Sequence, residues 1–583
     1  MKLRIVIASV LSLATAGLII ASPSDPAGLV VHEWGTVLAM NGSNGVSLDG
    51  MYHEEHALPG FVHARSRDQL RLPMSRIKME TPVIYFYPRE VMDVTVEVDF
   101  PTGFWTQWYP QATTVSPGLV QAGSPPRTRD GRISWDVVVR PRNMKNGTLP
   151  ATSDDALWNY SRNVDAAYVY TSPSAPKSEV EQFIFYRGLG EVPLPIDARI
   201  DDGRITATTS EREGLHHVFI LRVENGRGAY SYSTALRFGE RLDELIPSLD
   251  AARPIDQFVE DVSAHVARRL HDSGLYKPEA LAMVNTWKSS YFKTDGVRLL
   301  FVMPQSWTDR YIPMRIKPKP AELVRVMVGR VEMLDRAREL RAEQAISALA
   351  SPDARVRERA FDALRAEGRY VEPIVRRALQ TTADEQVRTL SKRLLLTDFV
   401  TELRTALTDA QTGEKVNTQP VYLRAQLASL LREVGLTDAA KQEGEAALQQ
   451  LATLPQPTMH DHLSRHTFRA LARAHEGAGH DAEALGWYGK FVDFGSRFQE
   501  PRTCAGCHTT MGPRDMTFFR DWYAGRKFGE YAVRTGEAPR LIAAHEEVLS
   551  AKPDSLASQL SLAYLYEATG KAEKAQELWA LMR

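Results

Sequence analysis

The sequence predicts a multidomain protein, with a mainly β, sandwich-like α+β domain followed by an all-α solenoid of repeated helical hairpins. Three observations carry this. Up to about residue 320 the chain runs in short β-branched and aromatic segments separated by Gly, Pro and Asp. After Val331 the composition switches to Ala, Leu, Arg and Glu, and the second part repeats itself at fixed spacings. The 583 residues suggest about three to four domains, or fewer where one is a repeat array.

Charge and composition narrow the function classes. With 71 Lys+Arg against 72 Asp+Glu the formal charge is −1, so there is no cationic surplus for extended contact with nucleic acid. A hydrophobic fraction of 43% with 25% charged residues is that of globular protein, not of a disordered or multi-span membrane chain. Two cysteines cannot staple domains of this size.

The first element is residues 1–22, read as a secretory signal peptide. Lys2 and Arg4 precede an apolar run from Ile5 to Ile20, and small residues Ala16, Ala21 and Ser22 lie near its end. The run is shorter than the roughly 20 residues a spanning helix needs, although an uncleaved anchor is the alternative. The expectation is an exported protein, periplasmic or extracellular, that is not integral to the membrane after cleavage.

Residues 23–335 form the expected β domain. Runs such as Val83 to Tyr87, Val94 to Val98, Ile133 to Val139 and Val218 to Val223 read as strands, several with period-two alternation. Between Ile255 and Ser289 the period changes: Phe258, Val262, Val266 and Leu270 share one helical face. Strand character returns at Val297 to Val302 and Arg325 to Val328.

In residues 336–400, Ser351-Pro352-Asp353 makes a turn and N-cap before Val356, Ala360 and Leu364, and Pro373 to Leu379 supply a second helix. Asp353 and Val356 recur as Asp384 and Val387, 31 residues on. These hairpins resemble HEAT repeats. Over 401–583, Leu471, Ala472, Gly479, Ala484 and Tyr488 fit a second pattern, as do Leu562, Ala563, Tyr566, Gly570, Ala575 and Trp579. Weaker copies carry Gly435 and Gly536. This segment resembles tetratricopeptide repeats, and both arrays imply concave surfaces for protein partners. Residues 499–521 fall outside the periodicity, as an insertion between repeats.

That insertion contains Cys504-Ala505-Gly506-Cys507-His508, which includes both cysteines of the chain. Cys-x-x-Cys-His is the attachment sequence of c-type haem, whose vinyl groups take the two thiols while the histidine ligates iron. The expected cofactor is one covalent haem c on Cys504 and Cys507, with His508 proximal. Met516 leads as the distal ligand, ahead of the histidines between His460 and His480, and an open site is the third arrangement. A Cys504–Cys507 disulfide and a zinc site remain as alternatives.

A second cluster opens the β domain: His32 and Glu33, then His53, Glu54, Glu55 and His56. Imidazoles and carboxylates this close suit a second metal ion, with His32, His53 and His56 as its ligands, or a hydrogen-bonded cluster. Gly188 and Gly190 read as turn residues. The strings His32-Glu33-Trp34-Gly35-Thr36, Glu80-Thr81-Pro82-Val83-Ile84-Tyr85-Phe86-Tyr87, Phe185-Tyr186-Arg187-Gly188 and Ala282-Met283-Val284-Asn285-Thr286-Trp287 resemble a group of uncharacterised exported bacterial proteins over roughly 30–335. The resemblance implies one ancient domain there and no particular activity.

Three functions follow as expectations. The first is an exported c-type haem protein for electron transfer or redox sensing, with its redox partner unspecified. The second is a non-catalytic interaction scaffold with a redox-active cysteine pair. The third is a metal-dependent enzyme built around His32, His53, His56 and Glu80 in the β domain.

Overall fold

A computed structural model describes residues 28–50, 58–64, 75–80, 82–117, 129–144, 147–175, 178–411, 419–454, 460–495 and 522–582. Residues 1–22, expected as a signal peptide, together with His53, His56 and the whole 499–521 stretch with Cys504, Cys507, His508 and Met516, lie outside the described residues.

The expected layout holds, with a mainly β region followed by helices. Its centre is the Val30–Asn41 strand, which pairs in parallel with Glu322–Met333 from Val30 opposite Glu322 to Asn41 opposite Met333. Around this pair an 11-stranded sheet forms. On one side lie Gly296–Val302, Leu215–Glu224 and Arg227–Leu236; on the other, Ile77–Met79 and Val83–Tyr87, then Ile184–Gly190 and Gly103–Tyr109. Asn225 and Gly226 join the Leu215–Glu224 and Arg227–Leu236 strands with φ of 51° and 72°, the left-handed pair that a tight hairpin turn requires.

Alternation along the strands divides the core into two layers. Val31, Val37, Ala39, Met327 and Val331 face a six-stranded sheet whose contribution includes Val96, Ile133 and Trp135. Trp34, Val83, Phe185, Val326 and Val328 face the helices Ile255–Asp272 and Lys277–Tyr291. The predicted stripe of Phe258, Val262, Val266 and Leu270 is buried in this second layer. The result is a sandwich with a helical hairpin on its outer face.

After Met333 the chain turns helical at once, because the Asp335 carboxylate accepts from the Arg338 N–H at 2.7 Å and starts the Arg336–Ala348 helix. Asp353 does the same for Ala354–Glu367, accepting from Arg355 N–H at 2.9 Å, and Asp384 accepts from Val387 N–H at 2.9 Å. Further along, the helices Gln419–Glu433 and Thr437–Thr453 pair, as do His460–Gly477 with Asp481–Gly495, Tyr523–Arg534 with Ala538–Ala551, and Leu556–Ala568 with Ala572–Leu581. The turns are made by Gly435, Gly479, Gly536 and Gly570, with φ of 75°, 72°, 77° and 76°. A glycine ends each first helix because only it enters the left-handed region without Cβ strain.

One expectation fails. Gly188 and Gly190 are not turn residues but belong to the Ile184–Gly190 strand. A methyl on Gly188 would lie 2.7 Å from the Trp105 ring, and one on Gly190 would lie 2.4 Å from Phe100. Close passage of Trp105 from the adjacent Gly103–Tyr109 strand and of Phe100 from the six-stranded sheet requires the glycines here.

Candidate functional site

Alternation in the Ile184–Gly190 strand places Phe183, Phe185 and Arg187 on the face toward the helices, beside Trp34 and Val83. The Lys277–Tyr291 helix lies across them with Trp287, Ser290 and Tyr291 directed inward, at the spacing of one helical face. Between sheet and helix is a cavity of ≈ 620 Å³. Glu80, Trp158 and Ser161 complete its walls, and its mouth is formed by Leu58 to Gly60 and Ala151 to Leu157, several of them exposed.

Each of the four strings singled out in the sequence contributes to this cavity: Trp34 from the first, Glu80 and Val83 from the second, Phe185 and Arg187 from the third, Thr286 and Trp287 from the fourth. Segments as far apart in sequence as Trp34 and Trp287 therefore meet at one place.

The cavity's polar groups are held by a buried charged chain. The Tyr291 hydroxyl donates to Glu80 Oε2 at 2.7 Å, and Arg330 NH1 lies 3.5 Å from the same oxygen. Lys78 Nζ is 3.8 Å from Glu80 Oε1. Arg330 also donates to Glu332 through Nε at 2.8 Å and NH2 at 2.6 Å, and its guanidinium covers the Tyr291 ring at 3.8 Å. Glu332 in turn accepts from the Tyr370 hydroxyl at 2.8 Å and faces Arg369 NH2 at 3.0 Å. Tyr370 lies between two helices of the second region, so the chain runs from those helices to the cavity floor. Burial pushes the Tyr291 hydroxyl far above its usual range, and the adjacent Glu80 charge adds to this, so it stays a donor. Burial alone would raise Glu332, but the Arg298 and Arg330 guanidiniums outweigh it and hold the carboxyl below its usual range.

On the opposite face of the central pair, Glu33 and Arg325 sit across from each other in register. Arg325 Nε donates to Glu33 Oε2 at 2.6 Å and NH1 to Asp309 at 2.8 Å, and the Tyr186 hydroxyl donates to Glu33. This pair fixes the register of the central strands and does not line the cavity.

His32 is buried, with Nδ1 2.8 Å from Glu279 Oε2 and its ring 4.3 Å from that of Tyr276. Glu279 also accepts from the Tyr87 hydroxyl and the Tyr276 N–H, both at 2.6 Å. His32 thus sits in a hydrogen-bonded cluster, and the other two residues of the expected metal set lie outside the described residues. Among the described residues, His475, His480 and Glu483 bring potential ligand atoms within 4.8 Å of one another. Lys441 Nζ stands 3.4 Å from His480 Nδ1, so a cation already faces the group.

Sequence reading named Glu80 but not the chain of Arg298, Arg330 and Glu332. Its signal was present as charges at alternate positions inside an apolar strand, Arg330 and Glu332 following Val326 and Val328. Trp158 carried no signal of its own.

No family model matches the chain, and no curated protein matches it. Among solved structures, the crystal structure of BtubC (BKLC) from P. vanneervenii aligns over 42% of this chain and 90% of its own, at 16% identity and a TM-score of 0.20. A superposition at that score carries no argument about fold or function. No helix of the described residues is long and apolar enough to cross a membrane.

Proposed function

We propose that this protein is an exported c-type haem protein serving electron transfer or redox sensing, with its helical hairpins acting as surfaces for protein partners. The observation that carries the reading is the string Cys504-Ala505-Gly506-Cys507-His508. The donor set fits the group: two thiols that add across vinyl bonds without any further reactant, and an imidazole next in sequence that can ligate iron. Met516 is the first choice for the opposite ligand. When bound, the haem supplies reversible one-electron exchange.

The surrounding helices support this reading. The Asp481–Gly495 and Tyr523–Arg534 helices pack directly on each other, with the Phe491 and Trp522 rings 4.6 Å apart and Phe528 in the same core. The helices on either side of residues 496–521 therefore stack directly on each other.

The test is a pyridine haemochrome spectrum of protein matured with its signal segment in a host competent for cytochrome c assembly. A c-type band that survives denaturation and is lost in Cys504→Ala/Cys507→Ala is the expected result. Properly exported protein without covalent haem refutes the reading and leaves an interaction scaffold with a redox-capable cysteine pair.

A second reading, an enzyme working in the β region, is favoured by the convergence of all four strings on one cavity with Glu80 in its wall. Iron at about one per chain together with a second metal would support it in the metal-dependent form; His32, with His53 and His56, is then the ligand set to substitute.

A further inference from the structure

We propose that the cavity between the large sheet and the Lys277–Tyr291 helix binds a small, planar aromatic carboxylic acid. This goes beyond the haem reading and does not rest on it. The volume of ≈ 620 Å³ lies within the range of about 300–1,000 Å³ typical of sites that enclose a small molecule.

Aromatic faces dominate the walls: Trp34, Trp158, Phe183, Phe185 and Trp287. One of them is held in a fixed plane. Trp287 stacks on Tyr291 with centroids 4.8 Å apart and planes at 11°, and Tyr291 is covered on its own account by Arg330 at 3.8 Å. A ring fixed in this way offers a π-surface that needs no reordering when a flat guest stacks or packs edge-on against it.

The polar groups select the guest's charge. The cavity's buried acceptor, Glu80, already receives Tyr291 at 2.7 Å and has Arg330 and Lys78 at 3.5 and 3.8 Å. Beside the hydroxyls of Ser161, Thr286 and Ser290, the walls present strong donors. Trp287 Nε1, on a side chain only 1% exposed, has no hydrogen-bond partner among the described residues, a costly condition for a buried N–H unless a ligand supplies the acceptor. Arg187, which reaches Gln107 at 3.3 Å, brings a guanidinium to the same wall, and a guanidinium is the donor best matched to carboxylate. Asp155 stands on the exposed mouth. An acid therefore enters with its carboxylate toward Arg187 and Trp287 and its rings between the aromatic walls.

The full mature chain is titrated with 2-naphthoate by isothermal calorimetry, alongside cyclohexanecarboxylate, which lacks the ring faces, and 2-naphthylmethylammonium, which reverses the charge. Saturable binding of naphthoate at one per chain, roughly tenfold or more tighter than either control, is expected. Trp287→Phe keeps the stacked ring and removes the N–H, and is expected to weaken binding by roughly tenfold. Ala151→Trp, at the exposed mouth, is expected to abolish it with the circular dichroism spectrum unchanged. Absence of naphthoate binding by the folded chain, equal binding of the ammonium compound, or indifference to both substitutions overturns the proposal. The same titration in the Cys504→Ala/Cys507→Ala background gives the same result if the cavity acts alone, which separates this inference from the fate of the haem reading.

Discussion

Replacing Glu332 by Gln is the sharpest probe of how the two regions are joined. The carboxylate is fully buried and faces three guanidiniums, from Arg330 at 2.6 Å, Arg369 at 3.0 Å and Arg298 at 3.3 Å, with the Tyr370 hydroxyl at 2.8 Å. Glutamine has the same shape but one acceptor oxygen, so its amide N–H₂ must face donors, and three buried cations lose their shared counter-charge. Removing one partner from such a buried set costs about 3–5 kcal/mol. Tyr370→Phe deletes the hydroxyl's bond to the ionised Glu332 and those it accepts from Arg298 at 2.7 Å and Arg369 at 3.3 Å, and should cost more than the about 1.5–3 kcal/mol of a single such bond. The comparison is Glu367→Gln, whose carboxylate meets Arg338 at 2.7 Å in a half-buried setting and is worth at most about 1 kcal/mol. Urea unfolding followed by fluorescence and circular dichroism gives the midpoints. Hydrogen exchange reports whether the Glu322–Met333 strand opens earlier. If Glu332→Gln moved the midpoint no further than Glu367→Gln, the charged chain would not be holding the joint and the reasoning would be refuted.

The same carboxyl sets a pH dependence: because its folded value is depressed, the stability it contributes is complete above the unfolded glutamate value of about 4.3 and is lost as pH falls through the folded value. The midpoint gap between wild type and Glu332→Gln should accordingly be constant near neutrality and close on acidification; a gap that widened would contradict the sign. Gly479→Ala should destabilise its hairpin by about 1–2 kcal/mol, purely through the backbone, since φ is 72° and nothing lies within 4 Å of the added methyl; thermal melting checks this. Gly188→Ala has the opposite cause, a methyl 2.7 Å from Trp105, and an overpacking cost of about 1–3 kcal/mol should appear in the β-region unfolding transition.

Local signals were legible residue by residue. The stripe of Phe258, Val262, Val266 and Leu270 announced a helix within a strand-rich stretch, and Asp353 and Asp384 announced helix starts that the side chains do cap. Gly435, Gly479, Gly536 and Gly570 marked hairpin turns because the left-handed conformation has few other occupants. Gly188 and Gly190 show the limit of the same logic. A glycine is also demanded where a neighbouring ring passes close, and the ring that passes, Trp105 or Phe100, is about 80 or 90 residues away in sequence.

The candidate cavity divides in the same way. Four short strings stood out in the sequence, yet nothing in their spacing said that they meet. What brings them together is the parallel pairing of Val30–Asn41 with Glu322–Met333 and the laying of the Lys277–Tyr291 helix across the sheet. The sequence by itself determined the order of strand and helix regions, the glycine hairpin turns, the helix caps and the Cys504–His508 string, because each depends on residues within a turn or two of one another. Only the tertiary structure decided that Trp34, Glu80, Arg187 and Trp287 share one cavity, that Glu279 pairs with His32, and that Glu332 joins the β region to the helices. Those outcomes depend on which distant segments exclude water from the same volume, and buried charge must find its partners there wherever the chain has placed them.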